Sequence, residues 1–489
     1  MSTRYLILSG ATLVLLSCEE PKPKAVRFEV EATAAAPQDP LPGMVEGETR
    51  PVAVLVPDVG AAVRFVANEL VLAADSAEAI DAAAVRLGAE VRALLDPVTT
   101  QLTGLKYLGL LRLQAPPADA ASLADATVRL AAKDGAQPTG RYRVTSEPGL
   151  RLLALAAAEA EAGAAVAINW VLEGAAIPTN TQEAPTVDRG LSSDAYLWPH
   201  LGVATPQRFG VAEAWSLLHR AGKLGNRVRL AVLDSGFSDL AAPQQDIGVA
   251  TALSVFPWHS AWGSNLGSCG SGDCPWHGQN VASTAMARVD DGFGGAGSAG
   301  PVAEPVLINT TYDYFTAISA VLNARAQGAR VINMSFGASI PTIVAWTIYP
   351  FEATTALIRA SGTLLFAAAG NSGENVDAED CFAGICWESS WHTPCENNGV
   401  ICVGGLGYNA TVLDPGSNYG EEHVDVYGPY HVLVGPDPEH LANEARLVSG
   451  TSFSSPFAAG VAALVWAADP TLPASTVEEA VTRVTQASP

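Results

Sequence analysis

The apolar positions of this chain fall into two patterns. Beyond residue 206, short unbroken apolar runs alternate with longer stretches of helical period. The runs 229–233, 305–308, 329–334, 363–368 and 400–403 lack the polar alternation of a half-exposed strand. Residues 315–327 and 351–360 carry the 3.6-residue period of amphipathic helices. Continuous apolar strands separated by helices predict an α/β fold, a parallel sheet covered by helices on both faces. A last apolar stretch, 457–466, is hydrophobic all round and reads as a helix buried in the core. Pro456, just before it, is expected in the first turn, where a missing N–H costs nothing.

The first part of the chain has a different rhythm. Strand-like runs at 69–73, 107–113 and 164–172 alternate with helical stretches at 76–87, 118–132 and 152–162. Two strand–helix–strand passes predict a small α+β domain over 62–180. Residues 18–61 are rich in Pro, Ala and Glu and read as a flexible tether, and 181–205 as a linker. Residues 1–17 have the form of an export signal, with Arg4 ahead of an apolar segment (5–16) too short to span a bilayer. It ends in Leu15-Leu16-Ser17-Cys18, which resembles the lipobox of bacterial lipoproteins and makes Cys18 the candidate lipidation site. The organisation read from the sequence is therefore signal (1–17), tether (18–61), α+β domain (62–180), linker (181–205) and α/β domain (206–489).

Composition narrows the partners. The chain has 489 residues, 48% hydrophobic and 16% charged, which is a globular balance. A net charge of −23 leaves no basic footprint for nucleic acid. If Cys18 carries lipid, six of the seven cysteines remain, all in the C-terminal half. In an exported chain they suggest three disulfides. Proximity suggests Cys269 with Cys274, Cys381 with Cys386 and Cys395 with Cys402, with other pairings open. Their spacing is wrong for zinc knuckles, and no metal ligand set is assigned.

Four polar residues close or open these elements. Asp234 ends the first α/β strand and enters a Ser235-Gly236 turn. His277 opens a small-residue helix. Asn371 follows the strand 363–368 through Gly370, and Ser452 stands at the start of the buried C-terminal helix. Each alone reads as a turn, cap or packed residue. Together they are an acid, a base, an amide donor and a nucleophile at element ends of one parallel sheet.

In this order and in their local sequences, these residues resemble the subtilisin family of serine peptidases, the subtilases. Val232-Leu233-Asp234-Ser235-Gly236 is similar to the family's aspartate motif. His277-Gly278-Gln279-Asn280-Val281-Ala282-Ser283-Thr284 is similar to its histidine motif, and Gly450-Thr451-Ser452-Phe453-Ser454-Ser455-Pro456 to its serine motif. Ala368-Ala369-Gly370-Asn371 resembles the oxyanion motif, and Asn333-Met334-Ser335-Phe336-Gly337 the substrate-binding strand. Gln279, Asn280, Ser283 and Phe453 depart from the usual residues without removing a reacting group.

The resemblance implies a serine endopeptidase acting on proteins or peptides. His277 would take the Ser452 proton, Asp234 would orient the imidazole, and Asn371 with the Ser452 N–H would hold the oxyanion. Ser335, Phe336, Gly337, Ala368, Ala369 and Gly370 would flank an extended substrate. It also implies that 62–180 is a self-processed propeptide, a partner of the peptidase, with the cut within about 175–205. No cofactor is required for catalysis; a structural Ca²⁺ is compatible but unassigned. Asp377, Glu379 and Asp380 fit a cation, a basic substrate side chain or a solvated face. Trp276, Trp387 and Trp391 fit the cleft or the core. The expected location is the cell envelope, lipid-anchored to a membrane, or secreted. The alternative is a catalytically silent scaffold serving as a surface binding lipoprotein. An esterase is disfavoured because Ser452 lies outside a Gly-x-Ser-x-Gly elbow.

Overall fold

The computed structural model describes most of residues 40–174 and 209–485, with the short strands Ala25–Arg27, Glu29–Ala32 and Glu183–Ala184. The signal segment and Cys18 lie outside the described residues, as does nearly all of the expected linker.

The α/β domain is built on a seven-stranded sheet, parallel throughout. Its order is Thr251–Ser254, Ala303–Asn309, Val228–Asp234, Val331–Met334, Leu364–Ala368, Val400–Leu406, Val426–Pro429. The five inner strands coincide with the unbroken apolar runs. The two outer strands, Thr251–Ser254 and Val426–Pro429, were not legible in those runs. The first is short and only partly buried, so it needs no unbroken apolar run.

Two hydrophobic clusters cover the sheet. On one face the helices His277–Met286 and Thr451–Ala468 bury Val281, Ala285, Phe453, Phe457 and Trp466. On the other, Tyr314–Ala326 and Tyr349–Ala360 bury Phe315, Ile318, Phe351 and Ile358. Thr451–Ala468 is long and apolar enough to cross a membrane, but it is 83% buried inside the protein and is the central core helix.

That helix corrects one expectation. It begins at Thr451, so Pro456 lies in its interior rather than its first turn. A proline there cannot donate to the carbonyl of Ser452, four residues back. The Ser335 hydroxyl supplies that bond instead, donating to Ser452 O at 2.7 Å.

The α+β domain is a second, mostly antiparallel sheet around the long strand Val63–Ala74, which pairs with Val52–Pro57, Tyr107–Leu113 and Ala165–Val171. Helices Ala77–Leu87 and Glu147–Glu161 start at the serine caps Ser76 and Ser146, each accepting a backbone N–H. Two expectations change here. The tether does not reach residue 61: Leu41–Pro42 pairs with Thr49–Arg50, and Val52–Pro57 joins the main sheet. The Pro-rich composition hid the apolar run Val52-Ala53-Val54-Leu55-Val56, which is long enough to bury. The helix expected over 118–132 is also not continuous, because Thr127–Arg129 is a strand paired with Ala25–Arg27.

The two domains share one core. The cluster over Tyr314–Ala326 runs without interruption into Phe65, Leu70, Ile168 and Trp170. Trp170 Nε1 donates to Thr347 Oγ1 at 2.7 Å, and Asn169 accepts from Phe315 N at 3.0 Å. Arg50 is fully buried between the domains, bonded to Glu69 of its own domain (3.3 Å) and Asp313 of the other (2.8 Å). Burial raises the Glu69 carboxyl, against the attraction of Arg50. Burial also works to raise Asp313, but Arg50 and the Thr311 and Thr316 donors bring it below its ordinary value.

Candidate active site

Asp234 is the last residue of its strand, where the parallel sheet opens a crevice at the strand carboxyl ends. Gly236 follows with φ +86°, and a side chain there would meet Pro275 O at 2.4 Å. This close approach brings the start of the His277 helix against the Asp234 turn: Gly278 N donates to Ser235 O (2.8 Å) and Gln279 N to Gly236 O (2.9 Å).

His277 Nδ1 lies 2.8 Å from Asp234 Oδ1. A carboxylate only accepts, so Nδ1 carries a proton, and in the neutral ring Nε2 is the nitrogen with the lone pair. Asp234 Oδ1 also accepts from Ser235 N at 2.8 Å and from the Tyr312 hydroxyl. Tyr312 is fully enclosed. Burial, then the Asp234 charge, raises its phenol well above the ordinary value, so it remains a neutral donor. Its φ is +54°, the left-handed region, which a tyrosine seldom occupies.

Ser452 is the second residue of its helix, beside the N–H groups that have no intrahelical partner. The imidazole of His277 packs against Phe453, with ring centroids 6.1 Å apart. Ser452 Oγ donates to Ser335 O at 3.2 Å. His277 Nε2 is buried and accepts no hydrogen bond in this state. The acid–base link is thus formed, and the base–nucleophile link is not.

Asn371 is held by its oxygen alone: Oδ1 accepts from Thr451 N (2.8 Å) and Thr451 Oγ1 (2.9 Å). Two donors on Oδ1 fix which end of the amide is which. Nδ2 is left buried with no acceptor. The turn that carries Asn371 depends on Gly370, at φ +107°, where a side chain would strike Asn418 Nδ2 at 2.5 Å. Asn418 braces this turn, donating to Ala369 O (3.0 Å) and accepting from Ser372 N and Glu374 N (2.9 and 3.0 Å).

Ser335, Phe336 and Gly337 lie beside Ser452, and Ala368, Ala369 and Gly370 lead into Asn371. The first segment already has a partner. Glu173–Gly174, at the end of the α+β domain, pairs antiparallel with it: Glu173 opposite Gly337, Gly174 opposite Phe336. On its other side the same tail pairs Val171 with Asp313, and Leu172 N donates to Tyr312 O at 2.5 Å. Sequence reasoning missed Tyr312, Thr451 and Asn418.

The departures from the family motifs have structural roles. Asn280 Oδ1 accepts from Arg446 (2.9 Å), Gln279 donates to Pro243 O (3.3 Å), and Ser283 donates to the buried Asp246 (2.7 Å). Burial pushes the Asp246 carboxyl up to about 7. Asp377 is half-buried and tied to its neighbouring loop. It accepts from the backbone of Glu422 (2.9 Å) and His423 (3.2 Å) and from the His423 ring. Trp276 and Trp391 are half-buried. The side chain of Trp387 lies outside the described residues.

Cys395 and Cys402 are joined in a disulfide. Cys274 is disulfide-bonded too, while Cys269 lies outside the described residues. Cys381 and Cys386 stand opposite each other in a hairpin, with their side chains outside the described residues.

Known proteins resemble this same region. The subtilase family model matches residues 225–488, more than half of the chain. Subtilisin DY of Bacillus licheniformis is 30% identical over 266 residues, 52% of this chain and 82% of that protein. Subtilisin-like protease 5 of Arthroderma benhamiae is 28% identical over 257 residues, 51% of this chain. The chain spans 58% of that relative's length. Among solved structures, fervidolysin from Fervidobacterium pennivorans, a keratinolytic enzyme related to subtilisin, superposes with a TM-score of 0.55 at 16% identity. That match covers 94% of this chain and 60% of fervidolysin. The epidermin leader peptide processing protease of Staphylococcus aureus gives 0.50 at 12% identity, covering 86% and 91%. Both likenesses are of fold.

Proposed function

This chain belongs to the subtilase family, and from that premise we propose that it is an exported serine endopeptidase made as a self-processed zymogen. One observation carries the reading: the buried Asp234–His277 pair stands beside the Ser452 helix, and Asn371, tied by its oxygen to Thr451 of the same helix, keeps an Nδ2 with no acceptor.

The chemistry follows from these groups. Rotation of the Ser452 hydroxyl away from Ser335 O brings it to the Nε2 lone pair. Oγ attacks the scissile carbonyl while Nε2 takes its proton, and the imidazolium is stabilised by Asp234. The carbonyl oxygen becomes an oxyanion, met by Asn371 Nδ2 and the Ser452 N–H. The protonated imidazole then gives its proton to the leaving amine as the C–N bond breaks. Water enters by the reverse steps, and acyl-enzyme hydrolysis restores Ser452.

The substrate is an extended peptide in the place now held by Glu173–Gly174, paired with Phe336 and Gly337 through backbone bonds. The α+β domain is then the propeptide, folded against its own peptidase with its tail in the cleft. Residues 1–17 direct export, and Cys18 carries the lipid that holds the protein at the cell envelope. The full chain carrying Ser452→Ala tests this reading. We expect it to accumulate uncut, while the unaltered chain yields a new amino terminus a few residues beyond Gly174. Normal trimming of the purified variant would refute self-processing. Absence of peptide hydrolysis by the trimmed, unaltered protein would favour the silent scaffold.

A further inference from the structure

A second cluster of chemically capable side chains lies outside the reacting groups. Glu388 ends the strand Ile385–Glu388, Glu396 sits in the turn after Ser390–Thr393, and His423 precedes Val426–Pro429. Ligand atoms of all three lie within 4.8 Å of one another.

Two further features set this group apart from a chance acidic surface. Glu396 is only 9% exposed, and neither of its carboxylate oxygens has a hydrogen-bond partner. The His392 N–H is near, but not in bonding geometry to either oxygen. A buried carboxylate with no donor is strongly unfavourable unless a proton or a cation neutralises it. The second feature is the orientation of His423. Its Nδ1 is bonded to Asp377 Oδ1 at 2.9 Å, and Asp377 is itself gripped by backbone N–H groups. Nδ1 therefore carries a proton, and Nε2, the nitrogen available to a metal, faces Glu388 Oε1 at 3.9 Å, beyond hydrogen-bonding distance. A carboxylate behind the far nitrogen is the arrangement that orients metal-ligating histidines.

We propose that Glu388, Glu396 and His423 bind one divalent cation of the borderline class, such as Zn²⁺, with Asp377 orienting the histidine. Two carboxylates and an imidazole suit that class, whereas Ca²⁺ and Mg²⁺ take oxygen donors. Bonds of about 2.0–2.1 Å set tetrahedral ligands roughly 3.3 Å apart, so the side chains must draw in by up to about 1.5 Å. Glu388 and His423 have that freedom, with side chains 29% and 24% exposed. Solvent supplies the remaining position. The ion is structural. Glu396 N donates to His392 O (2.8 Å), and the His392 ring meets Ser339 Oγ (2.9 Å) on the strand that begins at Phe336. Fixing Glu396 thus braces the back of the substrate-binding strand.

The test uses the full chain with Ser452→Ala, which prevents self-digestion. It is stripped with chelator, dialysed against Zn²⁺, and assayed for metal content and thermal midpoint. We expect one Zn²⁺ retained per chain and a midpoint raised by on the order of 5 °C at saturating metal. Glu396→Gln and His423→Ala should abolish both effects. The half-buried Glu388→Gln, which does not threaten folding, should weaken affinity at least tenfold, and Asp377→Asn about 10–100-fold. His277→Ala should change neither. No retained zinc, zinc retained equally by Glu388→Gln and Glu396→Gln, or a midpoint shift given by Ca²⁺ and not Zn²⁺ would each overturn the proposal.

Discussion

Tyr312 joins the acid of the candidate site to the segment that occupies the cleft. Its hydroxyl donates to Asp234, and its carbonyl accepts from Leu172 N. The first contact spans 78 positions, so nothing local in the sequence announces it. Asp234, His277, Asn371 and Ser452 were legible for the opposite reason: each sits in its own short motif at an element end. Thr451 and Asn418 act on Asn371 across 80 positions and 47 positions along the chain, through the oxygen of the amide and the turn beneath it. A hydrogen bond to a charged group contributes about 1.5–3 kcal/mol. Tyr312→Phe, which keeps the ring and loses that bond, should lower kcat by roughly tenfold to a hundredfold with KM little changed. Steady-state kinetics on a peptide substrate measure this, and an unaltered kcat would remove Tyr312 from the site's working parts.

At the scale of elements, the apolar pattern located all five inner strands and the central helix. Their burial on both faces leaves an unmistakable trace. It failed at the outer strand Thr251–Ser254, where burial is partial, at the four-residue Val426–Pro429, too short and Gly-Pro-ended to form an apolar run, and where the unsatisfied group is a carbonyl. The Pro456 position reads from sequence as a helix start, because no pattern states which side chain will answer the Ser452 carbonyl. That answer, Ser335, makes a prediction specific to this helix. Ser335→Ala should lower stability by about 1–3 kcal/mol, the cost of an unmet buried acceptor. Adding Pro456→Ala restores an N–H four residues along and should recover part of the loss. Denaturant midpoints of the two variants in the Ser452→Ala chain decide it. If the double variant is the less stable by the full sum of the single effects, the carbonyl is not the link.

At the scale of the molecule, the α+β domain was recognised in the sequence, but its attachment was not. The buried Arg50 lies in a region that reads as tether, and its partners Glu69 and Asp313 come from both domains. Removing the cation leaves two enclosed carboxylates, a loss of about 3–5 kcal/mol. Arg50→Met should therefore release the α+β domain from uncut Ser452→Ala protein at lower denaturant, read by hydrogen exchange over residues 165–171. Unchanged exchange would place the docking energy in the apolar contacts alone. The pH dependence has a defined sign. A carboxyl raised on docking, as Glu69 is, favours the docked state at pH values below the ordinary glutamate range. That contribution declines as pH rises through the raised value. Asp313, lowered on docking, favours the docked state at all pH values above the ordinary aspartate range and loses that contribution only as pH falls into stronger acid. Docking should weaken as pH rises from mildly acid toward neutral, and Glu69→Gln should flatten the trend.

The most direct test is the reactivity of one hydroxyl. A fluorophosphonate offered to the processed protein should form an adduct that peptide mass mapping assigns to Ser452. The adduct should fall by orders of magnitude in His277→Ala, and Asn371→Ala should cost about 10²–10³ in turnover, a magnitude known from a subtilisin. No adduct at Ser452, or one that forms as fast without His277, would contradict the account.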